Sequence, residues 1–402
     1  MKILQVSNKV PFMAKDGGAL AMHNLIDGLI AENNKLTILA MNTTKHFVEQ
    51  KYIENEKNSS LDIHTVNINT SIKPVALILN LIFSSKPYNL IRFISKEFST
   101  RLKDILTKEK FDIIQLEGLY VCMYIDTIKK YSSAKIAYRS HNIESEIWIN
   151  NTIKSRNLFK RNYFHIVANR LRKFELSVIN KYDLILPITV RDMQFFDNNG
   201  NNKPSTIIPF GVNLDNYAKK NSTDKNNLFY IGSLDWIPNI EGLRWFVQNV
   251  WKKIYIKYPD LKFFVAGRNA SNSLISFLSE NKVNYIGEIK NSKPFFMENT
   301  IMIVPLFAGS GMRVKIIEGM AYGKVIVTTK KGAEGIEYTN MKNIVIANDA
   351  GEFIDNIEEL ITNDYILQNI GNNARDLVEE YYNNSVICKR LVAFYKKHNH
   401  DT

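Results

Sequence analysis

The chain has little of what would tie it to redox chemistry, bound metal or a membrane-spanning role. It holds two cysteines in 402 residues, Cys122 and Cys388, far apart in sequence. Without a C-x-x-C or a Cys/His cluster at zinc spacing, a disulfide-stapled scaffold and a structural zinc site are excluded. A reducing cytoplasm is the expected compartment. No D-x-D occurs, so the paired carboxylates that would seat a divalent ion on a phosphate are missing, and no metal is expected. The longest apolar run, Val75 to Phe83, is broken by Asn80. It is far short of the roughly 20 residues that cross a bilayer. The opening MKILQVSNKVPF is a short apolar run ending at a proline, without the long apolar region of a leader, and reads as a first strand.

What is present is globular and basic. Hydrophobic residues make up 45% and charged residues 23%, a balance that buries a core. The formal net charge is +12. That surplus suits an anionic partner or reflects compositional bias, and the total alone does not choose between them. No nucleic-acid motif accompanies the charge, so no nucleic-acid partner is expected.

Short β-rich runs alternate with helical stretches. Lys2–Val6, Leu36–Met41, Phe111–Leu116, Ala134–Tyr138 and Tyr182–Pro187 read as strands, and Gly17–Ala31 as a helix. The pattern restarts with Leu228–Ile231, Lys262–Ala266, Val283–Ile286, Ile301–Val304 and Val325–Thr328. Apolar runs with little alternation mark parallel strands covered on both faces. The expected class is α/β, with two doubly wound domains. The polar segment Asp215–Asn227 reads as the join, giving domains over 1–215 and 216–384. Ligands of such sheets bind beyond the carboxyl ends of the strands, so the loops after strands hold the candidates.

The most specific segment is PLFAGSGMRVKIIEGMAYG, Pro305 to Gly323. A buried strand runs into Gly309-Ser310-Gly311, and a helix is expected from near Met312. Glycines let the backbone approach a ligand, and a helix start offers unpaired N–H groups. Arg313 and Lys315 would lie in the first turn, where positive charge opposes the helix dipole unless an anion is close. A diphosphate site fits that coincidence. Glu318, three residues after Lys315, reads equally as its ion-pair partner or as an acceptor for ribose hydroxyls. In the first half, Gly17-Gly18 opens a helix after the first strand, a turn that could admit a phosphate. RSHNIE, Arg139 to Glu144, follows a strand and makes His141 a candidate polar catalyst. Glu117, ending FDIIQLE, is a weaker candidate, with an ordinary loop carboxylate as the plainer reading. Lys154–Lys173 is basic with interleaved aromatics. It reads as a solvated helix or, together with Val75–Phe83, as a face toward anionic lipid.

GSGMRVKIIEGMAYGKVIVTTKKGAEGIE and YIGSLDWIPNIEGLRWF resemble family-four retaining glycosyltransferases of GT-B fold, in a branch reading G-S-G-x-R-x-K-x-x-E. The likeness runs over most of the chain. The family's E-x7-E is incomplete here, because its first glutamate falls at Ser310 and only Glu318 matches. The upstream loop Gly232–Glu241 also lacks the family's Arg and Lys, a charge that Arg313 and Lys315 could supply. The resemblance implies a hexosyl transfer, with retention, from a nucleoside-diphosphate sugar to a glycan or lipid-linked acceptor. No cofactor is implied beyond that donor. Glu318 would hold the ribose, Gly309, Ser310 and Gly311 the diphosphate, and Gly17 and Gly18 would face the same ligand. His141 would lie near the donor sugar, and the loop Gly287-Glu288-Ile289 would read the base. It further implies that a last helix within 385–402 returns to the first domain, and a cytoplasmic protein at the inner face of the cell membrane. A sugar-nucleotide epimerase, or a non-catalytic relative that binds the nucleotide sugar, remains the alternative.

Overall fold

The structure is a computed structural model describing residues 1–12, 17–154, 157–217, 227–309 and 311–399. The chain divides into two compact units, Met1–Gly211 with Asn384–Thr402, and Val212–Asn383. Of the segment read as a join, 218–226 lies outside the described residues.

The first unit holds β1 (Lys2–Ser7), β2 (Lys35–Thr43), β3 (Leu61–Ile68), β4 (Ile113–Glu117), β5 (Lys135–Ser140) and β6 (Leu184–Pro187). They form one parallel sheet in the order β3-β2-β1-β4-β5-β6. All five residues of β4 are buried, as a central strand between two helical layers requires. Leu4, Val6, Ile114 and Leu116 face one layer. Ile3, Ile113 and Ala137 face the other, where the opening helix Gly17–Ala31 and the last helix Asn384–Asn399 pack. The second unit repeats the scheme with β7 (Leu228–Ile231), β8 (Phe263–Ala266), β9 (Asn284–Gly287), β10 (Ile301–Val304), β11 (Val325–Thr328) and β12 (Val345–Ile346). Their order is β12-β11-β10-β7-β8-β9, again parallel. Both units are therefore Rossmann-like, and the α/β class expected from the strand–helix alternation is the observed one.

Two strands escape the apolar-run reading. β3 is an edge strand whose burial is interrupted at Asp62 and Asn67, so it carries no continuous apolar run. β12 is only two residues long.

The last helix belongs to the first unit. It buries Ile387, Cys388, Leu391, Val392 and Tyr395. Val386 on the same helix is exposed, and Cys388 and Tyr395 complete the buried face. Each buried aliphatic side chain there contributes about 1.5–3 kcal/mol of gross hydrophobic stabilisation. Gly28 lets the opening helix lie against it: a Cβ at Gly28 would stand 2.3 Å from the Cys388 Sγ and 2.5 Å from the Asn384 Nδ2. Asn384 Nδ2 donates to the Asn24 carbonyl, and Asn24 Nδ2 donates to that of Gly211. Where the chain enters and leaves the second unit, the Val212 amide donates to the Tyr382 carbonyl at 2.9 Å.

Candidate functional site

In the second sheet β7 starts at the centre, β8 and β9 extend one way, and β10 to β12 the other. The order reverses between β7 and β10, and such switch points open a crevice beyond the carboxyl ends of the strands. The loops after both strands meet there. After β10 the chain passes Gly309 (φ 111°) and Gly311 (φ 81°) in the left-handed region, which glycine adopts without strain. A Cβ at Gly309 would also collide with the Trp236 ring at 2.9 Å and with Arg313 at 2.8 Å. Ser310 lies outside the described residues.

The helix that follows spans Val314–Ala321, with Arg313 as its N-cap residue. This corrects the expected start near Met312 by two residues. Only Lys315 stands within the first turn, and Arg313 lies just ahead of it. Arg313 is buried, stacks over the Trp236 ring at 5.7 Å and donates to the Gly311 carbonyl at 2.5 Å. Burial lowers its pKa, and the nearby Glu334 carboxylate opposes that.

Lys315 and Glu318 form no ion pair with each other among the described residues. Lys315 reaches across to the end of β7, where Nζ donates to the Tyr230 hydroxyl, the Ile231 carbonyl and Asn239 Oδ1, each at 3.3 Å. It also lies 4.4 Å above the Tyr230 ring. Asn239 is held by its own donation to the Ser233 carbonyl. A Cβ at Gly232 would stand 3.1 Å from Nζ, so the glycine leaves room for the lysine. None of these Lys315 partners is an anion. Burial first, and the charge of Arg313 second, push the Lys315 pKa down to about 7. The β7 loop, which has no cation of its own, thus borrows one from the next loop. It gains another neighbour in Arg268, after β8, whose Nε donates to Ser233 Oγ at 3.1 Å. Arg268 was missed from the sequence because it belongs to no motif there.

Glu318 accepts a hydrogen bond from the Tyr217 hydroxyl at 3.1 Å. Burial raises its pKa, partly offset by that bond. Tyr217 is packed on Tyr322 and anchored through its carbonyl by Arg375. Gly287, ending β9, takes φ 90°, and its carbonyl accepts from the Gly267 amide.

The first unit holds His141, Gly17 and Gly18. The glycines stand in the first turn of the opening helix. The order of the first sheet reverses between β1 and β4, and Glu117 ends β4 at that point. Glu117 is fully buried, which overturns its reading as an ordinary loop carboxylate. His141 Nε2 lies 2.5 Å from Glu117 Oε2, Arg139 donates to the same oxygen at 3.3 Å, and Gln115 Nε2 donates to Oε1. Behind them the Tyr395 hydroxyl of the last helix donates to Gln115 Oε1 at 2.6 Å. Burial alone would raise the Glu117 pKa. The Arg139 charge, His141 and the Gln115 bond outweigh it and hold the carboxyl at about 2. Burial lowers the His141 pKa, against the pull of Glu117. A neutral imidazole bonded to a carboxylate through Nε2 carries its hydrogen there, which leaves Nδ1 as the acceptor. The signal available in the sequence was the alternation Gln115-x-Glu117 and Arg139-x-His141 at the ends of adjacent strands. It puts all four on one sheet face.

Among the described residues, no three His, Cys, Asp or Glu side chains are grouped to hold an ion. Residues 225–363 match the family model described as Glycosyl transferases group 1. Over 97% of this chain and 98% of the other, the sequence is 23% identical to an uncharacterised 44.6 kDa protein in the cps region of Klebsiella pneumoniae. Sucrose-phosphate synthase from Thermosynechococcus elongatus superposes with a TM-score of 0.71 at 13% identity, covering 99% of this chain and 98% of that one. Anabaena HepE, solved with UDP, gives 0.67 at 13% identity over 99% and 100%, and it has also been solved with UDP-glucose. Residues 225–363 of the second unit thus match the glycosyl transferases group 1 model, in a chain whose two Rossmann-like sheets have the fold of GT-B glycosyltransferases.

Proposed function

We propose that the protein is a retaining, metal-independent hexosyltransferase that moves a sugar from a nucleoside-diphosphate sugar to a hydroxyl of a glycan or lipid-linked acceptor. The observation that carries this is the cradle at the switch point of the second sheet: two left-handed glycines, a helix start, Arg313, and Lys315 donating to the neutral groups of Tyr230, Ile231 and Asn239. A diphosphate would place negative charge beside Lys315 and Arg313. Its oxygens would take hydrogen bonds from Arg313, Lys315 and the backbone around Gly309–Gly311, with Ser310 in the same loop, and Glu318 would accept from the ribose hydroxyls.

The acceptor hydroxyl attacks the anomeric carbon as the bond to the leaving phosphate oxygen breaks. The electron pair goes to the diphosphate, and the hydroxyl proton passes to that same oxygen. Attack from the face the leaving group vacates retains configuration. The cations act where charge develops, which is where electrostatic stabilisation lowers the barrier most. Glu117 does not serve as a covalent nucleophile, because Arg139, His141 and Gln115 occupy its oxygens. His141 acts through Nδ1, accepting a hydrogen bond from a sugar hydroxyl. Gly17 and Gly18 would add backbone contacts to the donor. The relative from a cps region supports a polysaccharide acceptor, and the UDP complexes of HepE support a uridine donor. The protein needs no cofactor beyond the donor, binds no nucleic acid, and works at the inner face of the cell membrane.

The test is a thermal-shift screen over nucleoside diphosphates and their sugars, followed by incubation of the hit with candidate acceptors. A rise in melting temperature with a nucleoside diphosphate, and an α-linked product from an α-linked donor by proton NMR, are expected. Inverted product would remove the retaining mechanism. A donor epimerised without acceptor, or bound but never consumed, would replace transfer with epimerisation or plain binding.

A further inference from the structure

The helix Pro74–Phe83 is built with its polarity reversed. Its one buried side chain is that of Asn80, whose Nδ2 donates to the Lys86 carbonyl at 3.0 Å. Arg170, from the helix Leu158–Val178, fixes the carboxyl end by donating to the carbonyls of Asn80 and Leu81 at 3.1 and 2.7 Å. The amino end is tied by the Lys73 amide, which donates to the Tyr88 hydroxyl. Leu77 and Leu81 are half-buried, but an apolar stripe points outward: Val75 is 71% exposed, Ile78 56%, Ile82 66% and Phe83 80%. On the helix that carries Arg170, Leu158 and Phe159 are exposed as well. A soluble surface normally turns such a stripe inward. Here hydrogen bonds to the backbone hold it outward, which a helix seeking its own core would not need.

The surroundings select the partner. Lys73 and Lys86 flank the helix, Lys160 and Arg161 follow Phe159, and all four are exposed. No acidic residue occurs from Lys73 to Lys86, nor from Leu158 to Lys173. Exposed apolar side chains whose sequence neighbours are cations and not acids suit the boundary of an anionic bilayer, where side chains enter the acyl region and lysines meet the headgroups. No helix among the described residues is long and apolar enough to cross a membrane.

We infer that the helix Pro74–Phe83, with Leu158 and Phe159, docks the first unit onto an anionic lipid surface by inserting Ile78, Ile82 and Phe83. This names the surface for the membrane-side placement proposed above, and it stands or falls apart from the transfer reaction.

The experiment is sedimentation of the full chain with vesicles of phosphatidylcholine alone or with 30% phosphatidylglycerol. Binding to the anionic vesicles is expected, weakened by salt and much weaker on the neutral ones. Ile82→Ser with Phe83→Ser should weaken it by roughly a hundredfold, about tenfold for each apolar side chain withdrawn from lipid. Lys73→Glu with Lys160→Glu should remove the preference for anionic lipid. Melting temperature and binding of UDP-glucose, which report folding and the second unit, should not move. Failure of the wild-type chain to bind anionic vesicles would overturn the inference. So would undiminished binding by the Ile82/Phe83 variant, or a wild-type dimer in solution that this variant converts to monomer, since a second copy would then own the surface. Vesicle binding by a chain with no transferase activity would leave the inference standing and remove the proposed function.

Discussion

Lys315 should make donor binding depend on pH in a range where the donor itself does not titrate. In the free protein its pKa is about 7, set by burial and by the charge of Arg313. A nucleoside-diphosphate sugar carries fully ionised, diesterified phosphates from pH 6 to 9, so proton uptake in that range comes from the protein. Two phosphate charges beside Nζ favour the ammonium form, and the bound lysine should stay protonated throughout. Affinity then follows the protonated fraction of the free protein: half at pH 7 and about a hundredth at pH 9, a loss of roughly 50-fold or about 2.3 kcal/mol. Loss of fold does not explain such a trend. A lysine with a folded pKa near 7 and an unfolded one near 10.5 leaves the unfolded chain holding more protons between those values, so its contribution to stability grows as pH rises. Titration calorimetry with UDP-glucose at pH 6.5, 7.5 and 8.5, in buffers of different ionisation enthalpy, should show close to one proton taken up at pH 8.5. Lys315→Met should flatten both the affinity profile and the proton uptake. A wild-type affinity constant to within twofold from pH 6.5 to 9, with no proton taken up, would refute the placement of Lys315 on the diphosphate.

Three further outcomes can be checked. Arg313→Ala should weaken nucleoside-diphosphate binding by roughly 1.5–3 kcal/mol, the worth of a hydrogen bond to a charged group, and leave free nucleoside binding unchanged; equal weakening of both would indicate damage to the fold. Turnover should persist in excess chelator, and loss restored by magnesium or manganese would show the diphosphate chemistry to be metal-borne. Tyr395→Phe removes the hydroxyl that orients Gln115, freeing Glu117 to act more strongly on His141. The His141 titration midpoint, followed by NMR with His141→Gln for assignment, should therefore move upward while UDP-glucose binding holds.

Ten of the twelve strands were legible as short apolar or β-rich runs, most of them parallel strands covered on both faces, although β9 has no buried residue. The exceptions follow the same physics: β3 lies at an edge and β12 is a stub. The donor loop was legible because glycines, helix start and cations are contiguous in sequence. Its electrostatic arrangement was not. The spacing of Lys315 and Glu318 suits an ion pair on a helix surface, yet the first turn packs against β7 and the lysine finds Tyr230, Ile231 and Asn239 instead. Those partners lie 76 to 85 residues away, and local patterns carry no information over that distance. Glu117 was undervalued for a similar reason. A carboxylate at a strand end looks like a loop residue until Arg139 and His141, from the neighbouring strand, and Tyr395, 278 positions further on, are brought around it.

The Tyr395 contact also bears on how the chain is made. The first unit is interrupted at Gly211 and resumes at Asn384, so its opening segment leaves the ribosome long before the helix that covers its sheet. At about 5–20 residues per second the intervening stretch takes on the order of 10–35 s to synthesise. For that interval Leu25, Leu29, Gln115 and the narrow seat at Gly28 face solvent without Ile387, Leu391 and Tyr395. The second unit, being contiguous, is complete before the first. A nascent chain halted anywhere between these points would present an open sheet face to chaperones and to other chains, and translation speed across the second unit becomes a determinant of yield.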